Sequence, residues 1–184
     1  MLSNLKQVSI KDNIPIVRDK TIDYISKYID NHSYQSVLEI GSAYGYSALY
    51  TALHTNATSI ISVEKNESNY QKCLEYARNE KIRFINDDAF TFEINQKFDV
   101  IFIDGPKSNQ DKLVTKYLAL LNKDGTIFID NIYLNKFKHR DVLTKNQKKL
   151  LEKVEAFKKW LESQTNINVH FIDMDDGLAV LTHK

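Results

Sequence analysis

Several classes are excluded by what this chain lacks. It has one cysteine, Cys73, in 184 residues, so no internal disulfide can form and a reducing compartment is expected. The formal net charge is only +1. A whole-molecule field that demands a nucleic-acid partner is therefore absent, and any basic surface has to be local. No apolar run approaches the roughly 18–20 residues of a membrane span, and Met1-Leu2-Ser3-Asn4 does not open a signal peptide. No membrane partner and a cytoplasmic location are the expectations. Glycine is scarce, five in all, yet Gly41 and Gly45 fall close together around Ser42-Ala43-Tyr44. The third glycine of a dinucleotide fingerprint is missing, and bulky Tyr44 stands where a pyrophosphate needs a small residue. No Gly-Lys-Ser/Thr follows, which excludes a P-loop.

What is present is ordinary globular composition, 42% hydrophobic and 27% charged, at a length that suits one domain over 1–184. The chain is organised around Ser36-Val37-Leu38-Glu39-Ile40-Gly41-Ser42-Ala43-Tyr44-Gly45-Tyr46-Ser47-Ala48-Leu49. A short apolar run bounded by polar residues reads as a strand buried on both faces. Glycines break it, and from Ser47 the apolar residues Ala48, Leu49, Ala52 and Leu53 take helical spacing. Strand, glycine turn and helix let bare backbone and a helix N-terminus meet a ligand. With phosphate excluded, the turn suits a ligand with a carboxylate and a ribose, the shape of S-adenosyl-L-methionine.

Residues 1–20 are weakly patterned. Ile14-Pro15-Ile16-Val17 reads as extended, because the residue before proline leaves the α region. Asp19 is expected to cap a helix to about Ile29, so that 1–35 forms an N-terminal segment and helix packed on the cofactor site. Strand two, Ser59–Glu64, ends in a carboxylate 23 residues beyond Gly41, placed to accept ribose hydroxyls. A helix over 67–80 follows, with Cys73 read as a core thiol. Ile82–Ile85 is strand three and runs into Asn86-Asp87-Asp88-Ala89. Strand four is Phe98–Asp104, with a helix over about 109–121 after it. Strand five, Thr126–Asn131, is entered through a turn at Asn122-Lys123-Asp124-Gly125. A long helix covers about 144–163. Strands Asn168–Asp173 and Gly177–Leu181 close the chain as an antiparallel hairpin. The expected fold is α/β and Rossmann-like, a seven-stranded, mostly parallel sheet.

Ligands of such sheets gather at the carboxyl ends of the strands. Asp104, Asp130 and Asn131 sit there, and three hard oxygen donors suit Mg²⁺ or another divalent cation. Lys107 lies three residues past Asp104. Farther on, Lys136, Lys138, Arg140, Lys145, Lys148, Lys149 and Lys153 are opposed only by Asp141 and Glu152, a cluster that attracts phosphates.

Glu39-Ile40-Gly41, with Gly45-Tyr46-Ser47, resembles motif I of class I methyltransferases, and in particular the catechol and caffeoyl-CoA O-methyltransferase group. That resemblance implies a cofactor site over Glu39, Gly41, Ser42, Tyr44, Gly45, Ser47, Glu64, Asp88, Ala89 and Asp104. It implies that Asp88-Ala89 contacts the adenine, although Asp87 stands where the family has glycine. Asp104-x-x-Lys107 with Asp130-Asn131 resembles the metal site of the group, in which Lys107 serves as base or positions the attacking oxygen and Asp104 takes part in catalysis. Ile14-Pro15-Ile16, the basic insert, Phe157-Lys158-Lys159-Trp160-Leu161 and Asp176-Gly177-Leu178-Ala179 resemble bacterial tRNA 5-hydroxyuridine methyltransferases over residues 14–184. This implies tRNA as partner, with Lys136, Lys138 and Arg140 as candidate contacts. The N-terminus is short where such relatives carry an extra helix before Ile-Pro-Ile that contributes to a homodimer. The alternatives are a small catechol-like or vicinal-diol substrate, or a non-catalytic binding module.

Overall fold

The computed structural model describes residues 1–105, 108–137 and 142–184. Seven strands form one sheet: β1 (Ser36–Ile40), β2 (Ser59–Glu64), β3 (Ile82–Asn86), β4 (Phe98–Ile103), β5 (Leu121–Asp130), β6 (Ile167–Ile172) and β7 (Leu178–His183). Their order is β3-β2-β1-β4-β5-β7-β6. β1 to β5 pair in parallel, and β7 joins β5 and β6 antiparallel. The seven-stranded, mostly parallel α/β sheet expected from the sequence is therefore present. The order reverses at β1, which lies between β2 and β4. That reversal opens a crevice at the strands' carboxyl ends.

Alternate strand residues feed two apolar layers, as a two-residue period requires. Leu38, Ile40, Ile101, Ile103, Ile127 and Ile129 face one side, where Leu113, Val114, Tyr117, Phe157 and Leu161 cover them. The latter come from α5 (Gln110–Leu118) and α6 (Lys145–Ser163). Val37, Ile60, Val100, Phe102 and Phe128 face the other layer. It is covered by α1 (Leu2–Lys11), α2 (Asp19–Asn31) and α3 (Tyr46–His54). α4 (Glu67–Tyr76) contacts β2 and β3. Among the described residues no helix is long and apolar enough to cross a membrane.

The structure corrects the sequence reading in several places. An extra helix, α1, does precede Ile14-Pro15-Ile16. Its buried face holds Leu5 and Ser9, a stripe too polar to show as periodicity; the Ser9 hydroxyl is absorbed by the Leu5 carbonyl. Asp19 does not cap α2. The N-cap is Arg18, and Asp19 instead pairs with Lys6 of α1 at 2.6 Å. α4 ends at Tyr76 rather than near 80, because Asn79 turns the chain by accepting from the amides of Lys81 and Ile82. β5 starts at Leu121, and Asn122–Gly125 is a register irregularity against β4 instead of a turn ahead of the strand.

Asp99 of β4 ties the start of β1 into the sheet. One carboxylate oxygen accepts from Gln35 N (2.9 Å), Ser36 N (3.0 Å) and Ser36 Oγ (2.9 Å), and the other accepts from Asn122 Nδ2 (2.7 Å). Burial pushes its pKa up, but the hydrogen bonds from Gln35, Asn122 and Ser36 outweigh it and hold the pKa below the usual value. Because the folded value lies below the unfolded one, near about 3.9, Asp99 stabilises the fold above that pH. The contribution is lost as pH falls through the folded value. Asp99→Ala should lower the unfolding free energy in urea by about 2–3 kcal/mol at neutral pH, leaving several donors unpaired. The difference should shrink in acid. A loss under about 0.5 kcal/mol, within the ordinary range for an uninvolved surface site, would show that the clamp is not needed.

Candidate active site

The turn after β1 is threaded between the ends of two neighbouring strands. Gly41 N and Ser42 N both donate to Val63 O of β2, at 2.9 and 3.3 Å, while Asp104 N donates to Ile40 O at 3.0 Å. Gly41 has φ +100°, and a Cβ placed there would lie 2.3 Å from the Asp104 carbonyl oxygen. No side chain fits. Gly45 (φ +83°) is required for a different reason. Its Cβ would meet the Ala77 side chain at 2.8 Å and the Phe84 ring at 2.9 Å, so α3 starts in close contact with α4 and β3.

Beyond the strand ends lies a cavity of about 870 Å³. Gly41 and Ala43 line it from the turn, Glu64 from the tip of β2, and Asp87, Asp88, Ala89 and Phe90 from the segment after β3. Asp104, Gly105 and Ser108 follow β4; Asp130 and Asn131 follow β5. Ile14, Pro15, Ile16 and Arg18 form an N-terminal wall, and Asp176 enters from the β6–β7 turn.

Glu64 is held by backbone donors, Ala43 N at 2.8 Å and Asn66 N at 2.7 Å, one to each carboxylate oxygen. Each oxygen retains acceptor capacity. Asp88 is engaged by Lys65 at 2.7 Å and by Phe90 N at 2.9 Å, and the Lys65 contact holds its carboxyl below the usual range. Asp87 does not take a positive φ, so an aspartate sits there without the backbone strain that favours glycine. Asp130, 4% exposed, accepts from Asn131 N at 2.8 Å, and Asn131 Nδ2 lies 3.4 Å from Asp104 Oδ1. Among the described residues no three His, Cys, Asp or Glu side chains gather as a metal cluster. Carboxylate and amide oxygens are hard donors of the kind divalent cations take, and here the Asn131 group turned toward Asp104 is the amide nitrogen.

The family model for O-methyltransferases matches residues 1–184, the whole chain. The chain belongs to the O-methyltransferase family. Among solved structures, a Staphylococcus aureus protein provisionally assigned as a caffeoyl-CoA O-methyltransferase is 27% identical, with all of this chain and 92% of that one covered at a TM-score of 0.90. A Bacillus cereus O-methyltransferase in complex with SAH is 19% identical over 100% and 90% of the two chains, TM-score 0.81. A SAH-bound Podospora anserina methyltransferase is 20% identical over 100% and 87%, TM-score 0.82. The last two establish similarity of fold.

Within this O-methyltransferase, the sequence-named residues divide into two groups. Gly41, Glu64, Asp88, Ala89, Asp104, Asp130 and Asn131 line the cavity. Glu39, Ser42, Tyr44, Gly45 and Ser47 lie behind its wall. Tyr44 is buried, with its hydroxyl donating to Asp12 at 3.1 Å. Lys107, Lys138 and Arg140 lie outside the described residues, as does the side chain of Lys136. Sequence reasoning expected an N-terminal segment on the cofactor site without naming its wall residues, and it missed Lys65 and the support from α5, where Tyr117 and Lys116 donate to the carbonyls of Ala89 and Phe90. Ile14-Pro15-Ile16 was a visible signal; the α5 contacts carry none. Cys73 is fully buried with its thiol against the Ala43 carbonyl, and burial pushes its pKa up. It is a core thiol.

Glu39 is the feature behind the turn with a consequence of its own. It is fully buried, Ser62 Oγ donates to it, and Ser42 and Ser62 hydroxyls lie 2.5 Å apart. Burial pushes its pKa from 4.5 up to about 7, against the hydrogen bonds from Ser47 and Ser62 and with help from the charges of Asp104 and Glu64. A folded value above the unfolded one means that its stabilisation is complete below pH 4.5 and lost as pH rises through about 7. That change amounts to roughly 3 kcal/mol. Glu39→Gln, which cannot ionise, should flatten this part of the stability–pH curve. Parallel curves for the two proteins would assign the dependence elsewhere.

Proposed function

We propose that this O-methyltransferase uses S-adenosylmethionine to methylate 5-hydroxyuridine in tRNA to 5-methoxyuridine. The observation that supports the reaction is one shared cavity in which Gly41 and Glu64 meet Asp104, Asp130 and Asn131. The Bacillus cereus and Podospora neighbours of the same fold hold SAH, the demethylated donor. In this reading Glu64, oriented by two amides, accepts the ribose hydroxyls. The side-chain-free turn at Gly41 admits the methionine portion, and the Asp88-Ala89 segment takes the adenine. Asp104, Asp130 and Asn131 would hold Mg²⁺, which when bound lowers the pKa of an acceptor hydroxyl and fixes it beside a neighbouring oxygen. The 5-hydroxyl and 4-carbonyl of the modified uridine form such a pair. Lys107 takes the hydroxyl proton or positions the attacking oxygen. Holding both reactants in line accounts for much of the acceleration.

The tRNA assignment is supported by the basic stretch from Lys136 to Lys153. Lys145, Lys148, Lys149 and Lys153 are exposed on α6 or at its start, free to take part in salt-dependent phosphate contacts. One observation favours the second reading, a small catechol-like acceptor. The cavity wall of Ile14, Pro15, Ile16 and Phe90 is apolar and suits an aromatic ring. The Staphylococcus aureus relative's provisional assignment points the same way. The single buried cysteine accords with a cytoplasmic enzyme.

The test is methyl transfer by purified protein to tRNA carrying 5-hydroxyuridine, followed by nucleoside mass spectrometry. We expect 5-methoxyuridine, lost on chelation and restored by Mg²⁺, and an activity loss of about 100-fold or more in Asp130→Ala. Turnover of catechol without any of tRNA would put the small-molecule reading first. Full activity in excess chelator would remove the metal from the mechanism.

A further inference from the structure

The cavity is electrostatically uneven. Among its described lining residues the cations are Lys65 and Arg18. Lys65 is committed to Asp88 at 2.7 Å, beside Glu64. Arg18 lines the cavity together with Asp104, Asp130, Asn131 and Asp176, on the wall formed by the N-terminal segment. Its ion pair with Asp176 is long, 3.8 Å, and its side chain is 63% exposed. An exposed pair at that distance contributes little to stability. The planar guanidinium, with five donors, retains capacity for a bidentate oxyanion.

The position of Arg18 is built rather than incidental. It is the extended N-cap of α2, with φ −68° and ψ 147°. Three residues on, Thr21 N and Oγ1 both donate to Asp175 Oδ2, at 3.1 and 3.0 Å, and pin the first turn of α2 to the β6–β7 turn. That same turn is joined to the segment after Asp130-Asn131. Asn135 Nδ2 donates to Asp173 Oδ1 and to Asp175 O, both at 2.8 Å, and the amides of Tyr133 and Leu134 donate to Asp176 O at 2.9 and 3.0 Å. The backbone from which the Arg18 side chain springs is thus tied through a polar network to the segment after Asp130 and Asn131.

We infer that Arg18 is a specificity-determining residue of the acceptor site, binding an oxyanion carried by the methyl acceptor. Resting on the reading of this cavity as the site of tRNA methylation, the oxyanion is a backbone phosphate next to the target base. The guanidinium supplies a charge-assisted contact that a neutral acceptor cannot make, and so selects phosphate-bearing acceptors over neutral ones.

The experiment compares kcat/KM for 5-hydroxyuridine with its 5′-monophosphate, and for catechol with 3,4-dihydroxybenzoate, in the parent protein, Arg18→Gln and Arg18→Lys. The parent should prefer the phosphate-bearing nucleoside. Arg18→Gln should reduce that preference by about 10–100-fold, mainly through KM, as expected for a charge-assisted contact. Arg18→Lys should recover part of it. If neither nucleoside form is methylated but the preference for dihydroxybenzoate falls in Arg18→Gln, the tRNA reading fails while Arg18 stands as an oxyanion site, with a carboxylate as its ligand. An unchanged charged-to-neutral ratio in Arg18→Gln overturns the assignment even if tRNA is the substrate. So does a tenfold loss of S-adenosylmethionine affinity by calorimetry in that variant, which would place the guanidinium on the donor.

Discussion

The contact on which the site depends is between two backbones. Gly41 and the Asp104 carbonyl approach so closely that a methyl group on Gly41 would lie 2.3 Å from that oxygen. The Asp104 amide in turn bonds the Ile40 carbonyl. Strands β1 and β4 therefore end side by side at the point where sheet order reverses. Everything that faces the cavity follows from this. Asp104 emerges next to the glycine turn, Val63 holds the turn from β2, and Glu64 at the tip of β2 closes onto Ala43. An alanine at 41 would have to push one strand end away from the other, and the cavity floor with it.

Much of the architecture was legible because strands buried on both faces must be apolar throughout. β2 matches its expected bounds, Ser59–Glu64, and β1 and β4 needed little adjustment. Strand-end carboxylates could be named because a parallel sheet collects ligands there, and Gly41, Glu64, Asp104 and Asp130 do share one cavity. Failures occurred where the deciding contact is distant in sequence. Helix α1 is held through Leu5, Ser9 and the Lys6–Asp19 pair, none of which produces a periodic pattern. Gly45 reads as part of a ligand loop, and the contacts with Ala77 and Phe84 that also demand a glycine there are invisible in the sequence. Arg18 looks like any helix-flanking cation until Asp175, more than 150 positions away, is seen to fix the turn that follows it.

Acidity is distributed in two shells with different chemistry. The carboxylates at the cavity surface, Glu64 and Asp88, are held ready by amides and by Lys65. Glu39, one strand position before Ile40, is buried among serine hydroxyls, where ionisation is costly. Burial pushes the Glu39 pKa up to about 7, so this inner carboxyl is neutral or charged according to pH.

The central claim is that this cavity takes S-adenosylmethionine with the ribose on Glu64. Isothermal titration of the donor into the parent protein and into Glu64→Ala tests it most directly. The account predicts that affinity weakens by roughly 2–3 kcal/mol when the charge-assisted acceptor is removed. Unchanged affinity in Glu64→Ala, or equally tight binding of NAD by the parent, would contradict it.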